Sequence, residues 1–169
     1  MKTFVSAACL AFLLTTGCVS TQPRIALDAI GPGPASATSL ANGLLVVFST
    51  PDPSAHFSGV PYHLYYTDYK INSPDGTLLK EIRNDSGSTI EGPAKIELPP
   101  GNYQVVARAS GYGLITVPVV IVAHHATTIH LDGSPYGSSS RPLDAKNTVR
   151  LPDGQIVGWR AQIRETAKQ

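Results

Sequence analysis

From residue 94 to residue 131 apolar and polar positions alternate with few interruptions. Ala94, Ile96 and Leu98 alternate with Lys95 and Glu97, and Pro99-Pro100-Gly101-Asn102 turns the chain. Tyr103, Val105, Ala107 and Ala109 then alternate with Gln104, Arg108 and Ser110. A period of two places one row of side chains in a core and the other in water, as in half-buried strands. Gly111-Tyr112-Gly113 turns again, and Ile115, Val117, Val119 and Ile121 form the next inward row, with Pro118 on the other face. A proline offers no N–H to a neighbour, so it predicts this strand at an edge or beside a bulge. His124-His125 mark another turn, and 127–131 supplies a further strand with Ile129 and Leu131 inward.

The upstream half carries the same signals less regularly. An apolar run at 44–49 ends at Pro51-Asp52-Pro53, and 62–72 is long and rich in aromatic and β-branched residues. It closes on Pro74-Asp75-Gly76, from which 78–82 returns as its partner. Asn84-Asp85-Ser86-Gly87-Ser88 reads as a second turn cluster. About seven short strands, with no amphipathic helix between them, predict an all-β fold: an antiparallel β-sandwich over 43–132. Before it, 24–30 has the alternation of a short strand (Ile25, Leu27), followed by Gly/Pro-rich loop at 31–39. After it, 133–147 reads as a linker, and 149–159 as a small hairpin about Pro152-Asp153-Gly154. A lone hairpin is marginal in water, so it is expected to dock back on the sandwich with Trp159 as anchor. The expected divisions are 1–17, 18–42, 43–132, 133–147 and 148–169, the last comprising this C-terminal hairpin and a polar tail.

The first 17 residues have a different pattern. Lys2 precedes an apolar core at 4–14, too short to span a bilayer, and small residues lead into Thr16-Gly17-Cys18. This resembles the lipobox of bacterial lipoproteins, although Thr15 stands where that motif prefers Leu. The resemblance implies a signal peptide removed before Cys18, a diacylglycerol on the Cys18 thiol, and attachment to a membrane. Val19, rather than Asp, follows the cysteine, the pattern that in Gram-negative lipoproteins implies the outer membrane. Of the two cysteines only Cys18 outlasts such a cleavage, and lipidation accounts for its unpaired thiol.

The stretch Ile96-Glu97-Leu98-Pro99-Pro100-Gly101-Asn102-Tyr103 to Ser110-Gly111-Tyr112 is similar to the carboxypeptidase-regulatory-like and PEGA-type domains. Those have a transthyretin-like or immunoglobulin-like sandwich and are typically non-catalytic modules of surface proteins. The physical reading agrees: Gly101 is expected to relieve backbone strain in the turn, and inward Tyr103 to pack at the sandwich corner with its hydroxyl bonded to nearby backbone.

Charge narrows the function. Lys plus Arg is 13 and Asp plus Glu is 12; loss of Lys2 makes it 12 against 12. Without a clustered basic face, nucleic acid is not an expected partner. Five histidines (His56, His63, His124, His125 and His130) lack the spacing of a metal site; they are read as exposed strand-end residues, His130 facing solvent. No Ser lies in a G-x-S-x-G elbow, and Gly111-x-Gly113 lies between strands rather than before a helix. No catalytic residue, cofactor or metal is therefore assigned. Tyr62, Tyr65, Tyr66 and Tyr69 remain. Under regular alternation Tyr62 and Tyr66 share one face and Tyr65 and Tyr69 the other. The outward pair is expected to be covered by the linker or the Trp159 hairpin; left bare, it could stack on a sugar ring. The expected function is a non-enzymatic, lipid-anchored envelope lipoprotein, structural or protein-binding, facing another envelope protein or a cell-wall polysaccharide. The alternative is a carbohydrate-binding module using those tyrosines.

Overall fold

The computed structural model of the chain describes residues 25–52, 66–84, 92–134 and 144–162. The strands in them are β1 (Ile30–Gly31), β2 (Gly43–Phe48), β3 (Tyr69–Asn72), β4 (Leu78–Ile82) and β5 (Lys95–Leu98). There follow β6 (Gly101–Ala109), β7 (Gly113–Ile121), β8 (Ala126–His130), β9 (Thr148–Arg150) and β10 (Ile156–Arg160). They form a seven-stranded sheet, ordered β4-β3-β6-β7-β1-β10-β9, and a three-stranded sheet, ordered β5-β2-β8. Both contribute to one core, so the described chain is an all-β sandwich.

The alternation along β6 and β7 builds that core. The two strands pair antiparallel from Gly101↔Ile121 to Ala109↔Gly113. Val105 and Ala107 of β6 and Ile115, Val117, Val119 and Ile121 of β7 are buried, facing Leu45, Val47 and Ile129 from the smaller sheet. Burying one such Val or Ile contributes about 1.5–3 kcal/mol of transfer free energy. Ile96 and Tyr103, expected in the core, are only partly buried and pack on its rim. The Tyr103 hydroxyl donates to the Pro99 carbonyl at 2.9 Å. Gly101 is not strained, however. Its φ is not positive, and a Cβ on it would lie 3.5 Å from the Tyr103 ring, an ordinary contact.

Two pairings are parallel, β1 with β7 and β2 with β8, so the lattice is mixed rather than wholly antiparallel. A parallel pair cannot be closed by a tight turn, so the turn signals carried no trace of it. β7 is also not an edge, despite Pro118. It lies between β6 and β1, but β1 has two residues and meets it only at Ile30↔Val119. A central position is thereby reconciled with a residue that gives no N–H.

β1 begins later than the 24–30 pattern suggests; Ile25 and Leu27 pack against the core without pairing in the sheet. It carries the C-terminal hairpin through Ile30↔Arg160 and Gly31↔Trp159. The hairpin does dock, but its buried anchors are Val149, Leu151 and Val157, whereas Trp159 is half-buried with its ring beside Gly33. Gly158 is required there. A Cβ on it would lie 2.7 Å from Ile30 Cγ2 and 3.1 Å from the Thr128 carbonyl oxygen. The hairpin turn is tied down separately, the Asp153 N–H donating to the Tyr112 hydroxyl at 2.9 Å.

Candidate functional site

Tyr66 and Tyr69, the members of the tyrosine cluster among the described residues, do not form a surface platform. Tyr66 is 8% exposed and Tyr69 2% exposed. Regular alternation would have placed them on opposite faces. It breaks because β3 starts only at Tyr69, while Tyr66 makes a separate bridge to Pro51. Tyr66 meets the Phe48 ring edge-on at 5.5 Å, and burial followed by the Asp132 charge raises its pKa. Burial likewise pushes the Tyr69 phenol up, and its hydroxyl has no hydrogen-bond partner. Neither ring is free to stack on a ligand. Tyr62, Tyr65, His56, His63 and Cys18 lie outside the described residues.

His130 also departs from its expected exposure. Its ring stacks on Phe48, centroids 4.5 Å apart and planes 7° from parallel, which leaves it half-buried. Burial lowers its pKa, with Asp132 opposing. His124 is not in a strand but in a left-handed turn conformation (φ 61°), and His125 Nδ1 lies 2.8 Å from the Ala123 carbonyl. Among the described residues no three His, Cys, Asp or Glu side chains are grouped to hold a metal.

The densest polar cluster is buried between the sheets and was read from sequence as part of a turn. Asn84, just past β4, is buried together with Ser49, just past β2. Asn84 Nδ2 donates to the Val47 carbonyl (2.9 Å) and Ser49 Oγ (3.0 Å), and its Oδ1 accepts from the Ala94 N–H (3.1 Å). Ser49 Oγ donates onward to the Thr67 carbonyl at 2.6 Å, and the Asn84 N–H donates to Asp68 Oδ1 at 3.0 Å. Every side-chain group of this asparagine is engaged with structural partners, so the cluster is a clasp between sheets.

A half-open groove of about 580 Å³ runs beside β7, where Pro118 and Val120 face Asp28 and Arg160. Three of its polar lining residues are engaged with structural partners. Arg160 is ion-paired with Asp28, and Gln104 Nε2 donates to the Pro74 carbonyl at 2.7 Å.

The edge strand β4 differs from all of these. Among the described residues it ends the seven-stranded sheet and pairs only with β3, and every residue from 78 to 81 is exposed. Leu78 is 52% and Leu79 54% exposed; the other exposed large apolar side chains among the described residues are Leu114 and Val122. Glu81 is bridged to Lys70 at 3.7 Å across the strand pair. Lys80 and Arg83 have no ion-pair partner among the described residues. No protein-family model matches the chain, and no curated protein or solved structure matches it.

Proposed function

We propose that this chain is an exported, lipid-anchored envelope protein whose β-sandwich is a non-enzymatic, protein-binding module. The observation that carries the binding part is the free β4 edge with Leu78 and Leu79 more than half exposed. Unpaired N–H and C=O groups beside exposed apolar side chains are a template for pairing with another chain. The anchoring part rests on Thr16-Gly17-Cys18 behind a short apolar core.

The two parts fit together in distance. Ile25 already packs against the core, seven residues after Cys18. Fully extended, seven residues span at most about 25 Å. A sandwich acylated at Cys18 is thus held against the membrane, within reach of other envelope proteins.

The test is fractionation of cells expressing the full chain, with a photo-crosslinking residue placed at Leu79 or, on the opposite sheet, at Glu97. Recovery in the membrane fraction and crosslinks to an envelope protein from either position are the expected results. A chain that fractionates as soluble protein and crosslinks to nothing from either position contradicts the reading.

A further inference from the structure

The protein-binding reading, on which this inference rests, leaves open what kind of segment the module takes. Three observations meet at β4. Among the described residues it is an unpaired edge, so about every second residue turns its N–H and C=O outward. Its apolar side chains, Leu78 and Leu79, are exposed side by side. Its unpaired charges are basic, since Glu81 is bridged to Lys70 while Lys80 and Arg83 are not ion-paired among the described residues.

A second copy of the chain fits this edge poorly. Antiparallel pairing of β4 with itself over its full length, Leu78–Ile82, centres on Lys80 and sets it against its own counterpart. Like charges directly opposite one another are destabilising. Lys80 lies on the core-side face, opposite Ile71, where a charge at the sheet margin opposes edge-to-edge association. A carboxylate in the incoming strand reverses that penalty.

We propose that the β4 edge binds an extended protein segment by strand addition, and that the segment alternates acidic with apolar residues. Its backbone continues the seven-stranded sheet beyond β4. Its carboxylates lie on the core-side face, against Lys80, which leaves its apolar side chains on the outer face, beside Leu79. In this mode main-chain hydrogen bonds supply the attachment, and the alternate side chains supply selectivity.

The test uses the full chain in detergent micelles. The probe is a short peptide of alternating valine and glutamate, with a valine–lysine peptide as control. Amide hydrogen exchange is expected to slow in β4 on adding the glutamate peptide and to stay unchanged with the lysine peptide. Lys80→Glu, at an exposed position, should weaken the glutamate peptide roughly fivefold and favour the lysine peptide. Protection elsewhere, no protection at millimolar peptide, or equal binding to Lys80→Glu would overturn the proposal. So would a peptide-free dimer protected at β4, which would assign the edge to a second copy. Crosslinks to an envelope protein from Glu97, with β4 silent toward the peptide, would leave the binding module standing and remove only this edge.

Discussion

Asn84 Nδ2 donates to Ser49 Oγ at 3.0 Å, joining the end of β4 in the larger sheet to the end of β2 in the smaller one. Both residues are buried, and the asparagine also holds Val47 and Ala94. Removing its amide orphans the Ala94 N–H and the Val47 carbonyl and takes a partner from Ser49. Buried groups left unpaired cost roughly 1–3 kcal/mol each, so Asn84→Ala should destabilise by about 3 kcal/mol in urea unfolding. Ser49→Ala should cost less, and a double-mutant cycle should return positive coupling. Additive effects of the two would refute the clasp.

Tyr69 presents the opposite case, a buried hydroxyl with no partner. Its ring belongs to the core while its oxygen gains nothing from being there. Tyr69→Phe should therefore leave stability unchanged or raise it by up to about 1 kcal/mol. A loss of stability would show that the hydroxyl is bonded after all.

How much of this was legible in the sequence depends on the range of the interaction. The rows Val105–Ala107 and Val117–Val119–Ile121 were readable because period-two alternation is local and turn residues bracket it. The pairings of β1 with β7 and β2 with β8 were not, because a parallel partner arrives from a distant part of the chain without a turn of its own. Asn84 reads as a turn residue for the same reason: asparagine favours turns, and its burial depends on Ser49, 35 positions away. Tyr66 and Tyr69 misled because alternation was carried through Thr67 and Asp68, where no strand runs. The exposure of Leu78 and Leu79 follows from the order of strands in the sheet, which no local pattern encodes.

The C-terminal hairpin hangs on a close crossing. Gly158→Ala would drive a methyl into Ile30 and the Thr128 carbonyl. Overpacking of this kind typically costs 1–3 kcal/mol, and about 2 kcal/mol is expected here. Amide exchange should quicken first in β9 and β10, since they reach the rest of the larger sheet through β1. Quickening spread evenly over β6 and β7 would contradict this attachment.

His130 makes stability depend on pH. Burial holds its folded pKa below the ordinary value, with Asp132 opposing, so the unfolded chain takes up the proton first as pH falls. Its stabilising contribution is present above the unfolded value of about 6.5 and is lost as pH drops through the lowered folded value. The neighbouring Tyr66 phenol, with its raised pKa, stays neutral in this range. His130→Phe keeps a ring on Phe48 and removes the titration, so its urea midpoint should vary less with pH over that window. Equal slopes for the two proteins would contradict the assignment.

The central claim is that the sandwich is carried to the envelope and held there by lipid on Cys18. Cells expressing the wild-type chain or Cys18→Ala are grown with a clickable fatty acid, and the purified proteins are compared for label. The account predicts strong labelling of the wild type and none of the variant, which should also accumulate with its first 17 residues uncleaved. Equal labelling of the two, or none of either, would contradict it.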